Sequence, residues 1–174
     1  APVQTEGHPY IRTPNIGRGR LDLNNAFRIS DITYKDWTRR ATPQHLDLIL
    51  AREAPVGNVA IVPKNVSIAL GQRTVLLRPN PEVVSPHFLC YKLLSASVQN
   101  TLYGIASGST VPHLNLSDLR KLELFNLPPL PTQKKIASIL SAYDDLIENN
   151  ERRIKILEEM AQSIYREWFV NFRF

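Results

Sequence analysis

The chain has 174 residues, 43% of them hydrophobic and 21% charged, which suits a packed domain and argues against disorder. A single cysteine, Cys90, excludes an internal disulfide and a cysteine-rich zinc site, and agrees with a reducing cytoplasm. No apolar run reaches the roughly 18 residues of a membrane span. Ala1 to Gly7 lack the regions of a secretory signal and an initiator Met, as in a chain trimmed or cut from something longer.

In chain order, short strand-like runs alternate with turn residues. Tyr10–Arg12, Ala26–Ser30, Asp47–Ala51, Val59–Val62, Ser67–Leu70, Thr74–Leu77 and Lys121–Phe125 read as strands. Leu48–Ala51 and Val75–Leu77 are apolar on both faces, as central strands are. Ser85 followed by Pro86 reads as a helix N-cap and first turn, and a second helical piece runs to about Tyr103. The fold expected over residues 1–130 is therefore a mixed α/β (α+β) domain.

Pro128-Pro129-Leu130-Pro131 is the clearest break, because proline supplies no backbone donor and biases its predecessor away from helix. Thr132 can cap a helix that starts there, and no Pro or Gly appears again before Phe174. Residues 131–174 are expected to form one long helix. Leu140, Ile147, Ile154, Ala161 and Trp168 alternate with Ile136, Tyr143, Asn150, Leu157 and Ile164 at four- and three-residue steps, the seam of a coiled coil. Asn150 is either a buried register-setting residue or a solvated position near a bend.

The net charge of +5 is unevenly placed. Lys and Arg outnumber Asp and Glu by 14 to 9 through Leu130, and the two signs balance at 7 each beyond it. A basic domain joined to a neutral, seamed helix implies two surfaces with two partners, a polyanion for the first.

Enzyme chemistry has little support. There is no Gly-x-Ser-x-Gly elbow, and the cluster of Ser109, Thr110, His113 and Asp118 reads as a loop followed by a capped turn. His8, His45, His87 and His113 have no ligand spacing, so no metal site is expected. Gly17-Arg18-Gly19 is neither a phosphate-binding loop nor a dinucleotide fingerprint, and no motif for S-adenosylmethionine is present. The remaining candidates are loop residues suited to phosphate contact or base readout: Arg12, Asn15, Arg18, Arg20, Arg39, Arg40, Arg52, Lys64 and Arg73. The loops 12–20, 52–58 and 109–115, the last with Ser109, Thr110, His113 and Asn115, are the favoured readers.

Several stretches, taken in order, resemble the specificity subunits of type I restriction–modification enzymes. They are Tyr10–Ile16, Leu48–Val62 with its Arg52-Glu53-Ala54-Pro55 turn, Leu70–Pro79, and Gly108-Ser109-Thr110-Val111-Pro112-His113-Leu114. The Pro-rich entry Leu127–Thr132 followed by Gln133, and the closing Glu167–Phe174, complete the set. The resemblance implies a target-recognition domain and one long helix, where a full subunit has two of each, with a short or missing opening segment. A natural half-subunit that pairs with a copy of itself and a fragment are both open.

The resemblance further implies a non-catalytic, cytoplasmic chain that reads one half of a split double-stranded DNA target. It would bind no cofactor. S-adenosylmethionine belongs to the partner methyltransferase, and ATP and Mg to the restriction subunit. The long helix would pair with a second copy or a second recognition half and set the spacing. A coiled-coil adaptor whose basic domain binds an acidic protein is the alternative, as is the specificity portion of another restriction system such as type IIB.

Overall fold

A computed structural model describes residues 3–108 and 111–174. The chain divides into two compact units, Ala1–Lys134 and Lys135–Phe174.

The first unit is organised around β3 (Leu48–Ala51), whose four residues are all completely buried. Because strand side chains alternate in direction, β3 is a wall between two cores. Leu48 and Leu50 pack with Val59, Leu89, Cys90, Leu93, Leu102 and Leu114 on one side. Ile49 and Ala51 pack with Ile11, Ile16, Ala60, Val62 and Ile68 on the other.

Two three-stranded sheets build these walls. One has the order β2 (Phe27–Ile29), β1 (His8–Ile11), β5 (Ala69–Leu70), with β1 antiparallel to β2 and parallel to β5. The other has the order β4 (Val59–Ile61), β3, β6 (Thr74–Leu77), all antiparallel. Helix α1 (Asp31–Trp37) follows β2, and the Ser30 hydroxyl caps it by accepting from the Thr33 amide. Helices α2 (Pro86–Leu94) and α3 (Ala96–Ile105) bury Phe88, Leu89, Leu93, Val98 and Leu102. The mixed α/β domain expected from the sequence is the fold observed, and six of the seven expected strands are present.

The seventh is not. After the short helix α4 (Leu116–Leu119), Lys121–Phe125 forms no ladder. Leu122 and Leu124 pack partly against the first core, which accounts for the alternation that suggested a strand. Ser85 also differs from expectation, because its side chain makes no capping bond. Its backbone amide instead donates to Oε1 of Gln133, which is 2% exposed.

Helix α5 (Leu130–Tyr165) begins in the first unit and continues as the second. It starts at Leu130, so Thr132 is not the cap. Pro131 sits in the first turn, where the missing amide hydrogen would have had no helical partner anyway. The helix gives way to a wider turn over Arg166–Val170.

Candidate nucleic-acid interface

The hydrogen-bond pattern brings four segments to one edge of the first unit. The Gly71 amide donates to Ile11 O at 2.8 Å, tying the β5–β6 turn to the end of β1. The Arg52 amide donates to Arg73 O at 2.9 Å, tying the same turn to the end of β3. Leu114 N then donates to Arg52 O at 2.9 Å, and His113 bridges to both Glu53 and Ser107, so the loop around Gly108 lies on this edge too. Gly108 has φ +109°, and an added Cβ would stand 2.6 Å from Val111 O, so the loop admits only glycine there without moving its backbone.

Tyr10, Arg12, Thr13, Pro14, Ala54, Gly71, Gln72 and Arg73 line a cleft of about 380 Å³ on this edge. The arginines around it differ. The Arg12 guanidinium lies 3.8 Å over the Phe27 ring, and its buried Nε has no hydrogen-bond partner among the described residues. Arg73 is mostly exposed and its Nε is paired with Oε1 of Glu53. Arg52 Nε donates to Leu114 O at 2.7 Å and so ties the segment at Leu114 to the end of β3.

The other expected site residues fall in several places. Asn15 is 3% exposed, and its Oδ1 accepts from the Arg12 amide at 3.1 Å. It is therefore a buried brace for the turn after β1, not a surface reader, because its acceptor satisfies a backbone donor. Arg18 and Arg20 lie on an exposed stretch that adds to the edge of β4, with Gly19 N donating to Val59 O at 2.7 Å. Val59 pairs with Leu50, so this stretch is close to the same end of the sheet. Arg18 Nη2 donates to Leu94 O at the end of α2.

Arg39 and Arg40 are exposed in the turn after α1, whose Trp37 packs edge-on against Tyr10, and Lys64 is exposed at the opposite end, near the start of β3 and the end of β4. There Arg78 grips the buried Asp47 through two bonds, at 2.9 and 2.7 Å, and also donates to Thr42 O. His113 and Asn115 are half-buried on the interface edge, with Asn115 Nδ2 donating to Ser107 Oγ and Asp118 Oδ2. Ser109 and Thr110 lie outside the described residues. Thus Arg12, Arg52, Arg73, His113 and Asn115 meet on one edge, and Lys64 lies at the other end of the sheet.

Sequence reasoning missed Glu53, Gln72, Tyr10 and Phe27. A search for positive charge passes over an acid such as Glu53, and its place beside Arg52 after a buried strand was the available signal.

In the second unit Leu140, Tyr143, Ile147, Asn150, Ile154, Leu157, Ala161 and Ile164 are all exposed along α5, and Trp168 is exposed in the turn after it. Ile136 is half-buried. Ile139, Leu146 and Met160 are exposed as well, each one residue ahead of a seam position, so the apolar face is wider than a single seam.

Among the described residues no helix is long and apolar enough to cross a membrane, and no group of three His, Cys, Asp or Glu could hold a metal.

A family model described as the type I restriction modification DNA specificity domain matches residues 4–159. The chain belongs to this family. This specificity chain is 35% identical over 144 residues to the MjaIX specificity subunit of Methanocaldococcus jannaschii, covering 83% of itself and 32% of that protein. It is 26% identical over 171 residues to the EcoBI specificity subunit of Escherichia coli, covering 94% of itself and 35% of that protein. It therefore spans only part of the curated relatives it matches.

Its fold is that of the S subunit from M. genitalium, with a TM-score of 0.67 at 22% identity over 97% of this chain and 40% of that one. The HsdS subunit of Thermoanaerobacter tengcongensis gives 0.57 at 19% identity, over 97% and 39%. Both matches include the α5 region as well as the sheets.

Proposed function

We propose that this specificity chain reads one half of a bipartite sequence in double-stranded DNA and has no catalytic role of its own. The single observation that carries the reading is the convergence of the ends of β1 and β3, the β5–β6 turn and the segments at Ser107 and His113–Leu114 on one edge that holds Arg12, Arg52 and Arg73. Arginine forks match base edges and phosphates, and rigid strands beneath the loops hold them in register. Membership in a family described as a DNA specificity domain supports this reading.

Methyl transfer would belong to a partner methyltransferase carrying S-adenosylmethionine, and cleavage to a restriction subunit using ATP and Mg. The apolar face of α5 would pair with a second copy or a second recognition half in the cytoplasm, where DNA and partners meet.

The test is selection from a randomised duplex library at near-physiological salt, with the chain alone and with its methyltransferase. A split motif with a fixed gap is expected, and a palindromic one would mean two copies. Recovery of no motif under either condition would overturn the reading and favour an adaptor that binds an acidic protein.

A further inference from the structure

On the edge that carries Arg12, Arg52 and Arg73, Glu53 places a carboxylate among cations that are expected to meet a polyanion. Its side chain is 20% exposed and holds Nε of Arg73, whose own side chain is 68% exposed. The carboxylate is largely covered while the guanidinium is open to solvent, which screens the pair and leaves it at most a modest contribution to stability. Its geometry is more informative. With Nε occupied by Glu53, the other edge of the guanidinium, Nη1 and Nη2, stays directed away from the pair. Those two parallel donors are the fork that fits O6 and N7 of guanine in the major groove.

The carboxylate also changes what Arg73 prefers. It offsets the local charge and repels a phosphate, while a neutral pair of acceptors on a base is affected far less. Arg12, on the same cleft, is the opposite case. No carboxylate is paired with it among the described residues, and it rests on the Phe27 ring with its full charge uncompensated.

We propose that Glu53 and Arg73 form a preset guanine-reading pair, in which Glu53 is the positioning residue, and that Arg12 beside it meets a backbone phosphate. This rests on the proposed DNA-reading function and names the base and the residues that would carry it.

The experiment begins with the motif selected by the unaltered chain, with its methyltransferase if binding requires it. Competition binding then follows each position of that motif across a salt series. Arg73→Ala is expected to lower the preference for guanine at one position by about 5- to 100-fold, with the salt slope nearly unchanged. Arg73→Lys should not restore that preference, because an ammonium lacks the planar fork.

Glu53→Gln should weaken discrimination at the same position while raising affinity for unrelated DNA and steepening the salt slope by about one. Glu53→Asp should recover part of the discrimination. Arg12→Ala should weaken all sequences alike and lower the slope by about 0.9.

Uniform weakening by Arg73→Ala, with the slope reduced and no position relaxed, would make Arg73 a phosphate contact and overturn the proposal. An unaltered preference in Glu53→Gln would do the same for the positioning role. Failure of the unaltered chain to select any motif is a different result, and it removes the DNA-reading function itself.

Discussion

At Gln133 one buried amide carries three bonds: Oε1 accepts from Ser85 N at 2.9 Å, and Nε2 donates to Pro128 O at 2.8 Å and Val83 O at 3.4 Å. It joins the start of α2 to the start of α5 inside the first unit. Gln133→Leu would leave the Ser85 amide and the Pro128 carbonyl unpaired, and a loss of about 2–4 kcal/mol in urea unfolding is expected. A loss below about 0.5 kcal/mol would mean that water replaces the amide without penalty.

His87 gives a pH signature. Partial burial, and secondarily the nearby charge of His45, hold its pKa below the ordinary 6.5. A lowered histidine pKa means the folded chain resists protonation. Its contribution is therefore complete above about pH 6.5 and is lost as pH falls below that value. His87→Gln should flatten the drop in unfolding midpoint between about pH 7.5 and 5.5, and an unchanged drop would remove His87 from the account.

Individual roles were the least legible part of the site. Arg12, Arg52 and Arg73 look alike in sequence, and only the fold gives them a ring, a carbonyl and a carboxylate as partners. Asn15 read as a surface amide because nothing local announces that the turn after β1 folds inward.

Elements were more legible, and for physical reasons. Leu48–Ala51 is apolar without alternation, and only a strand buried on both faces reads so. Lys121–Phe125 alternates as a half-buried strand does, but pairing is a property of its neighbours, and none among the described residues supplies it. Helix α5 was visible from its uninterrupted seam, whereas the extra stripe of Ile139, Leu146 and Met160 lies off the heptad positions that define that seam. The stripe broadens the apolar face beyond what one partner helix covers, as in helices of a bundle.

The two stripes should be separable. If α5 pairs with a second copy as proposed, Ile147→Lys with Ile154→Lys, on the seam, should abolish that self-association in sedimentation equilibrium. Leu146→Lys with Met160→Lys should then leave that pairing largely intact and, if this stripe meets the proposed methyltransferase, weaken that binding by about tenfold or more, since a helix face loses two apolar contacts. Equal effects of both pairs on both measurements would make the face one undivided surface.

Across the whole chain, the division into a basic part and a neutral part was read from charge alone, and the compact units part at Lys134, just inside α5. Under the proposed pairing, the length of α5, from Leu130 to Tyr165, would set the spacing of the DNA target. At about 1.5 Å per residue the helix is about 54 Å long, and at about 3.4 Å per base pair it can hold two half-sites no more than about 16 base pairs apart. If two copies pair antiparallel, lengthening the helix must lengthen the gap.

The size of the insertion decides how clean the test is. Seven residues after Asn149 preserve the heptad and add about 10 Å, or about three base pairs. Four residues add about 6 Å, or about two base pairs, and introduce a stutter that the seam must absorb by local unwinding. Library selection with the seven-residue insertion should therefore return the same half-sites with a gap longer by about three base pairs, and the four-residue insertion a smaller increase with weaker binding. The same half-sites at the original gap would mean that α5 does not set the distance, even if the first unit reads the bases.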